Sequence, residues 1–342
     1  MMRDWFETLF GFREGGEAEV RRQLDVEGTR LVSRQNGRSF AIGTLELLPL
    51  RTLRERAAAG PPLPGRLRVQ SIQGDVRALH RVPVYTGALF QVASQFNLLE
   101  MVGPSHTPEQ GVTRYAGDPT QGPACAIAAG AATVYRNYFV LVGAHIGQTS
   151  GHQLDGLADL GARLAVALDQ PASSLWSMEN GYALCSATGL AAITRYLTAQ
   201  GPDVHDTLRD ALRVGVHWDV EVTDQTDSPG PLVSQIFCSA LPVAYSGIPA
   251  SQWHAFASLI LDAAYEATLF AGVINAQRGG SNIVLLTRLG GGAFGNDNRW
   301  IDASIRRALD RFVDVGLDVR MVSYGAPAKS VLNMVSAFSD QA

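Results

Sequence analysis

The sequence predicts an α/β protein with three layers: a mixed, mostly parallel β-sheet between two layers of helices. Two observations predict this. Stretches with helical character alternate with short apolar stretches along most of the 342 residues. Strands that are covered by helices on both faces are apolar throughout, so these short stretches are typical of such strands. Hydrophobic residues make up 46% of the chain and charged residues 18%, a composition that supports a packed core and excludes general disorder.

The predicted elements follow from apolar spacing and turn residues. Asn36-Gly37 and Asn180-Gly181 predict two tight hairpins. The predicted strands are 66–72, 87–93, 232–243, 283–287 and 317–323, and the predicted helices are 124–138, 154–168, 189–199, 253–271 and 300–313.

We expect a single elaborated domain. The Gly- and Pro-rich segment 59–65 interrupts regular structure, but the residues before it are too few for an independent core, so it is interpreted as a connection. The organisation predicted is an N-terminal extension (1–66), a core (67–143 and 231–325), and an irregular, more polar insertion (144–230).

Net charge, cysteine content and hydropathy exclude several classes of binding partner and site. The net charge of −4 offers no electrostatic footprint for nucleic acid or an anionic membrane as the main partner. Three scattered cysteines and the absence of paired His spacings predict neither a disulfide framework nor a metal site. The N-terminus lacks an apolar segment and no uncharged apolar run reaches 18 residues, so we expect a cytoplasmic protein with no membrane partner.

Glycine is enriched: 35 of 342 residues, about one in ten against an average of roughly 7%. The densest cluster, 290–295, lies between a predicted strand and a predicted helix, where backbone N–H groups can cradle an anion. Its GxGxxG spacing stands too close to the C-terminus for a dinucleotide-binding fold, which needs several strands after it. A tight turn without a ligand is the alternative interpretation.

Two further strand ends carry polar residues. Gly74-Asp75-Val76 ends the first core strand, although an Asp there is also a common helix N-cap. Asn97 follows the next strand, and a loop containing Gly122 then opens the helix 124–138.

Together these segments resemble the macrodomains, a family that binds ADP-ribose. The resemblance covers roughly 67–140 and 231–325 and is carried by Gly74-Asp75-Val76, Phe96-Asn97, Gln121-Gly122-Pro123-Ala124 and Gly292-Ala293-Phe294-Gly295. It implies that Asp75 receives the adenine amino group, that Asn97 faces the distal ribose, and that two loops wrap the diphosphate. The ligand-binding residues it implies are Asp75, Val76, Phe96, Asn97, Thr120, Gln121, Gly122, Gly290, Gly291, Gly292, Ala293, Phe294, Gly295 and Asn296.

The chain departs from the family pattern. The first loop lacks a triple glycine, the segment between Asn97 and Gln121 is long, and residues 144–230 are inserted. These departures suggest a divergent branch of the family. In them the chain resembles the bacterial macrodomain-type ADP-ribosyl hydrolases that act on arginine-linked ADP-ribose.

Hydrolysis at an anomeric carbon needs a carboxylate to orient or deprotonate water. Four are candidates: Glu100, Asp118, Asp219 and Glu221, the last two on one strand face if 217–224 is a strand. Each has an alternative: a solvated charge for Glu100, a turn start for Asp118, and an exposed edge for the other two. Asp297 is interpreted as a helix cap.

Three functions therefore stand open at the level of sequence. The first is an ADP-ribosyl hydrolase that removes ADP-ribose from modified protein, with no cofactor besides this ligand. The second is a non-catalytic module that binds ADP-ribose or another NAD metabolite. The third is a protein-interaction module whose surface is the insertion 144–230.

Overall fold

The computed structural model describes residues 4–225 and 229–339. The strands are β1 (Leu24–Glu27), β2 (Arg30–Ser33), β3 (Ser39–Ala41), β4 (Thr44–Pro49), β5 (Arg68–Gln73), β6 (Leu89–Ala93), β7 (Leu141–Val142), β8 (His145–Ile146), β9 (Trp176–Glu179), β10 (Tyr182–Cys185), β11 (Arg213–Glu221), β12 (Leu232–Cys238), β13 (Ile283–Leu286) and β14 (Asp318–Ser323). The helices are α1 (Trp5–Phe10), α2 (Glu17–Gln23), α3 (Leu50–Ala59), α4 (Val76–Leu79), α5 (Gln121–Ala128), α6 (Gly130–Tyr138), α7 (Ala158–Leu168), α8 (Ala172–Leu175), α9 (Ala187–Ala199), α10 (Pro202–Arg209), α11 (His254–Gln277), α12 (Asn298–Arg311) and α13 (Lys329–Ser339).

The central sheet has seven strands in the order β4-β11-β12-β6-β13-β14-β5. The five strands from β12 to β5 are parallel to one another, whereas β11 runs antiparallel to both β12 and β4. The predicted fold class, α/β with a mixed and mostly parallel sheet, is confirmed.

Alternate residues of each inner strand enter cores on opposite faces of the sheet. On β6, Leu89 packs into the core that contains α11 and α12, while its neighbour Phe90 packs into the core beneath α4, α5 and α6. On β12, Ile236 and Phe237 divide in the same way. This two-residue period is the reason why the strands are apolar throughout, and it produces three layers.

The segments predicted as extension and insertion also contribute to the sheet. The edge strand β4 comes from residues before 66, and β11 comes from within 144–230. Beyond the sheet, Phe6, Phe10 and Phe40 form a smaller core against α6. The rest of the 144–230 segment includes the β9–β10 hairpin, which turns at Asn180-Gly181 as predicted, with positive φ at both residues.

The predicted helix 124–138 is wrong in one respect, because it is two helices. The chain breaks at Ala129, with φ −112° and ψ 55°. The break is held from outside: the N–H groups of Thr223 and Asp224 donate to the Ala128 carbonyl, and Gly130 N–H donates to the Thr223 hydroxyl. Apolar periodicity continues through such a break, so the sequence pattern does not reveal it.

Helix α11 is the central helix of one layer. By length and composition it could cross a membrane, but 83% of its most apolar 18-residue window is buried inside the protein. It also carries Glu266, a fully buried carboxylate that pairs with Arg54, Arg307 and Arg311 from neighbouring helices. Its apolar character is therefore that of a core helix, and the ion pairs fix it against α3 and α12.

Candidate functional site

A cavity lies at the carboxyl ends of the parallel strands. The chain leaving β6, β12 and β13 borders it through Ser94, Ala240 and Thr287, and the start of α5 closes one side. The space between these elements, including the part that is open to solvent, is about 760 Å³. Open α/β sheets bind ligands in crevices at this edge, because neighbouring loops diverge there.

A groove continues from the cavity across the next two strands. Gly74 and Asp75 after β5 and Tyr324 after β14 line it, and Asp118, Gln121 and Thr287 border both the groove and the cavity. Asp75, Val76, Gln121 and the loop after β13 are therefore brought together, as predicted. The groove and the cavity adjoin at the three residues that they share; we refer to the two together as the channel.

The start of α5 is pressed directly onto the end of β6. The Gln121 side chain accepts from Ala93 N–H at 2.8 Å and donates to the Gln91 carbonyl at 2.8 Å, so it pairs with the strand as a backbone would. A Cβ at residue 122 would lie 2.0 Å from the Ala93 carbonyl oxygen, so only glycine permits this approach. Within the described chain, the N–H groups of Gln121 and Gly122 have no protein partner, as is usual for the first turn of a helix.

The glycine cluster forms a second set of donors. Gly290 and Gly295 have φ of 71° and 70°, and the loop is closed by Gly295 N–H to the Gly292 carbonyl and Asn296 N–H to the Gly290 carbonyl. Among the described residues, the N–H groups of Gly292 and Ala293 lack a protein acceptor, and both residues line the cavity.

The remaining residues of this loop serve its shape. Gly291 packs near Ile301 and Gly295 packs against Ala244. The buried Asn296 amide donates to the Leu241 carbonyl at 2.8 Å and so anchors the loop to the segment after β12. Asp297 caps α12 by accepting from Arg299 N–H, as predicted.

The cavity offers backbone N–H groups rather than side-chain cations for an anion. The basic side chain among the described lining residues, Arg288, is held by Asp302 and by the Asn298 side chain. The start of α5 and the glycine loop therefore both present unpaired N–H groups to the same cavity. This arrangement suits a ligand with more than one phosphate.

Two of the four predicted carboxylates border the cavity. Asp118 is partly exposed and borders both cavity and groove; it also accepts from Thr120 N–H at 2.8 Å, so the turn interpretation holds as well. Thr120 lines the cavity through the same turn.

Glu100 is the second predicted carboxylate that borders the cavity. The alternative interpretation, a solvated surface charge, is wrong. The residue is 1% exposed, and a Cβ at Gly122 would lie 3.1 Å from its Cγ, so it packs directly beneath the start of α5. Burial raises the pKa of Glu100 to about 7, against the opposing effect of its ion pair with Arg136. A carboxyl group that titrates near neutrality suits proton transfer.

Asp219 and Glu221 are predicted catalytic residues that the structure places elsewhere. The strand β11 forms, but its register shifts between His217 and Val220, with Asp219 at φ 57°. This bulge breaks the alternation: Asp219 is exposed and pairs with Arg278, as the exposed alternative expected, whereas Glu221 is buried. Glu221 accepts from Ala41 N–H and Gly230 N–H. Neither is among the described residues that line the cavity.

Phe96 and Asn97, predicted as ligand-binding residues, are buried and are not among the described residues that line the cavity. Phe96 lies in the apolar core. Asn97 is fully buried, donates to the Gln153 side chain at 2.8 Å, and accepts from Leu99 N–H. The chain turns before reaching them, so that Ser94 and Gln95 border the cavity instead.

Asp75 is a helix cap, as its alternative interpretation expected, and it also lines the groove. Its carboxylate caps the four-residue α4 by accepting from Arg77 N–H at 2.9 Å, and the residue lines the groove beside Val76. The neighbouring Arg77 guanidinium is paired with Asp224.

Aromatic residues missed by the sequence reasoning form one wall of the cavity. The rings of Tyr182 and Tyr245 lie 5.3 Å apart, and each also contacts Phe294 of the glycine loop, at 5.3 and 5.7 Å. The Tyr182 hydroxyl donates to the Met101 carbonyl at 2.8 Å, which fixes the hairpin β9–β10 beside Glu100. No spacing in the sequence links Tyr182 to this wall, since it comes from the 144–230 segment.

Comparisons with known proteins add structural likeness alone. No family model matches the chain, and no curated protein matches it. Poly(ADP-ribose) glycohydrolase from Deinococcus radiodurans in complex with ADP-ribose aligns at 12% identity and a TM-score of 0.44, covering 96% of this chain and 99% of that one. The enzyme from Thermomonospora curvata bound to the inhibitor ADP-HPD aligns at 14% identity and a TM-score of 0.36, covering 95% and 97%. At these scores the function has to be argued from the residues of this chain.

Replacing Gly122 tests the contact between α5 and β6. We expect Gly122→Ala to destabilise the protein by about 1–3 kcal/mol, because the new methyl group would meet the Ala93 carbonyl. Gly292→Ala is the matched control, since a Cβ there meets nothing within 4 Å. Urea unfolding of both variants measures the difference, and equal stabilities would contradict the described packing.

The raised pKa of Glu100 predicts a pH-dependent stability. A carboxyl group whose pKa rises on folding contributes most at low pH, and this contribution is lost as pH rises from its unfolded value, 4.5, to about 7. From about pH 5 to about pH 8, wild type should lose on the order of 2–3 kcal/mol relative to Glu100→Gln. Chemical unfolding of both proteins across this range checks it; a constant difference between them would show that Glu100 titrates normally.

Proposed function

We propose that this protein binds ADP-ribose in the cavity and groove and hydrolyses the glycosidic bond at its distal ribose. One observation carries the proposal: Asp75, Gly122 and the glycine loop at 290–295, which are far apart in sequence, border a groove and a cavity that adjoin each other. These are the segments whose sequence resembles the macrodomains.

The channel suggests an orientation for the ligand. The adenine would lie in the groove beside Asp75, whose carboxylate can accept a hydrogen bond from an amino group. The diphosphate would lie between the N–H groups of Gly122 and those of Gly292 and Ala293. The distal ribose would then reach the end of the cavity that Glu100 and Phe294 border.

The chemistry assigned to this end is attack of water on the anomeric carbon. The bond from that carbon to the leaving group breaks with its electron pair remaining on the leaving group, a bond to the water oxygen forms, and the carboxylate receives a proton from the water. We assign the role of proton acceptor to Glu100, because its pKa of about 7 allows it to be ionised at neutral pH and still to take up a proton.

We propose an arginine side chain of a modified protein as the leaving group. Asp118 is partly exposed at the cavity and could pair with a guanidinium group. The wall formed by Tyr182, Tyr245 and Phe294 offers aromatic surface on which a planar cation can stack. With Arg288 already paired, these lining groups favour a cation over an anion at this end.

A second candidate function is a non-catalytic ADP-ribose-binding module. One observation favours it: the Glu100 side chain has no solvent-exposed surface. Turnover would then require the ligand to open access from the cavity, whereas binding would not.

The test combines calorimetry with a release assay. We expect the protein to bind ADP-ribose with 1:1 stoichiometry. We also expect it to release ADP-ribose from arginine-modified protein. Glu100→Gln should lose about 100-fold or more in turnover, since a general base contributes roughly 10²–10⁴, while ADP-ribose affinity stays within a few-fold. Glu55→Gln, in an exposed ion pair on α3, is the control and should match wild type.

The outcomes separate the candidates. Absence of binding at millimolar ADP-ribose would contradict both functions. Binding without release by the wild type would support the binding module. Full activity in Glu100→Gln together with loss in Asp118→Asn would move the catalytic role to Asp118.

A further inference from the structure

A fully buried arginine stands behind Glu100, on the side away from the cavity. Arg136 is 0% exposed, and its Nη2 lies 3.1 and 3.3 Å from the two carboxylate oxygens of Glu100. It is not among the described residues that line the cavity. Arg136 therefore reaches a bound ligand only through Glu100.

The guanidinium group is fixed on several sides. Its Nε donates to the Leu98 carbonyl at 3.1 Å, and Nη2 also donates to the Thr133 hydroxyl at 3.2 Å. The ring of Phe237 lies 4.0 Å from the guanidinium carbon, a distance typical of cation–π contact. These contacts come from three elements, so Arg136 holds one position relative to the segment that carries Glu100.

The other titratable groups near Glu100 cannot replace this cation. Tyr115, from the short turn before α5, receives a hydrogen bond from the Glu100 N–H, and Cys125 lies on α5; burial raises the pKa of both well above the ordinary value, so both stay neutral. His217, on β11 behind Arg136, is fully buried and kept neutral by burial and by the arginine charge.

We propose that Arg136 is a positioning residue for the reaction: its guanidinium holds the Glu100 carboxylate in one orientation beneath Gly122 and keeps it ionised near neutral pH despite burial. Charged groups are rarely left unpaired inside proteins, because burial then neutralises them. Without Arg136, Glu100 should be a neutral acid at the pH where it is assigned to accept a proton. This inference rests on the proposed function for its catalytic meaning, but the ion pair can be tested separately.

The decisive measurement is the titration of Glu100 by carboxyl ¹³C NMR, with Glu100→Gln used to assign its signal. In Arg136→Met we expect the pKa of Glu100 to rise by about 1–3, the range over which an adjacent opposite charge acts. Arg136→Lys, which keeps the charge, should fall between wild type and Arg136→Met, and it serves as the test if the methionine variant does not fold.

The matched control is Arg54→Met, which removes another largely buried arginine from an ion pair with Glu266. It should reduce stability without moving the Glu100 titration. An unchanged Glu100 titration in both Arg136→Met and Arg136→Lys would overturn the proposal.

Activity gives a second readout. The acid limb of the pH–kcat profile should move to higher pH in Arg136→Lys, with little change in ADP-ribose affinity. A uniform loss of kcat at every pH would indicate a merely structural role and contradict the inference. If wild type releases no ADP-ribose at all, the proposed function fails, whereas the NMR titration still decides the role of the ion pair.

Discussion

The contact between the start of α5 and the end of β6 is the constraint on which the site depends. Gln121 pairs with the strand as if it were another strand, and Gly122 closes the gap to the Ala93 carbonyl. This contact aims the first N–H groups of α5 at the cavity and places Glu100 directly beneath them. A donor surface and a buried carboxyl group are thus formed by the same few residues.

The site handles its charges in two different ways. Near the glycine loop the cavity is lined by backbone N–H groups, whose dipoles require no ordering of a side chain. The arginine at this part of the cavity, Arg288, is already paired with Asp302. Near Glu100 the site uses a full charge, Arg136, sealed in the interior where its effect is strong. The overall composition, with its modest negative charge and abundant glycine, is consistent with this division.

Much of the fold could be predicted from the sequence, and part of the site. Apolar runs and turn residues located the parallel strands, and the glycine-bearing strand ends were brought together as expected. The failures have local causes: a bulge in β11 separated Asp219 from Glu221, and the chain turned before Asn97 could reach the cavity. Tyr182 and Arg136 could not be assigned because tertiary packing alone connects them to the site.

The segment that holds the break between α5 and α6 has a mechanical consequence. Asp224 donates its N–H to Ala128 at the break, and its carboxylate binds Arg77 beside the groove. Asp224 therefore ties the end of α5 to Arg77 of α4, the two helices whose first turns line the groove. The spacing between these two helices, and with it the width of the groove, is therefore set in part by a residue that belongs to neither helix.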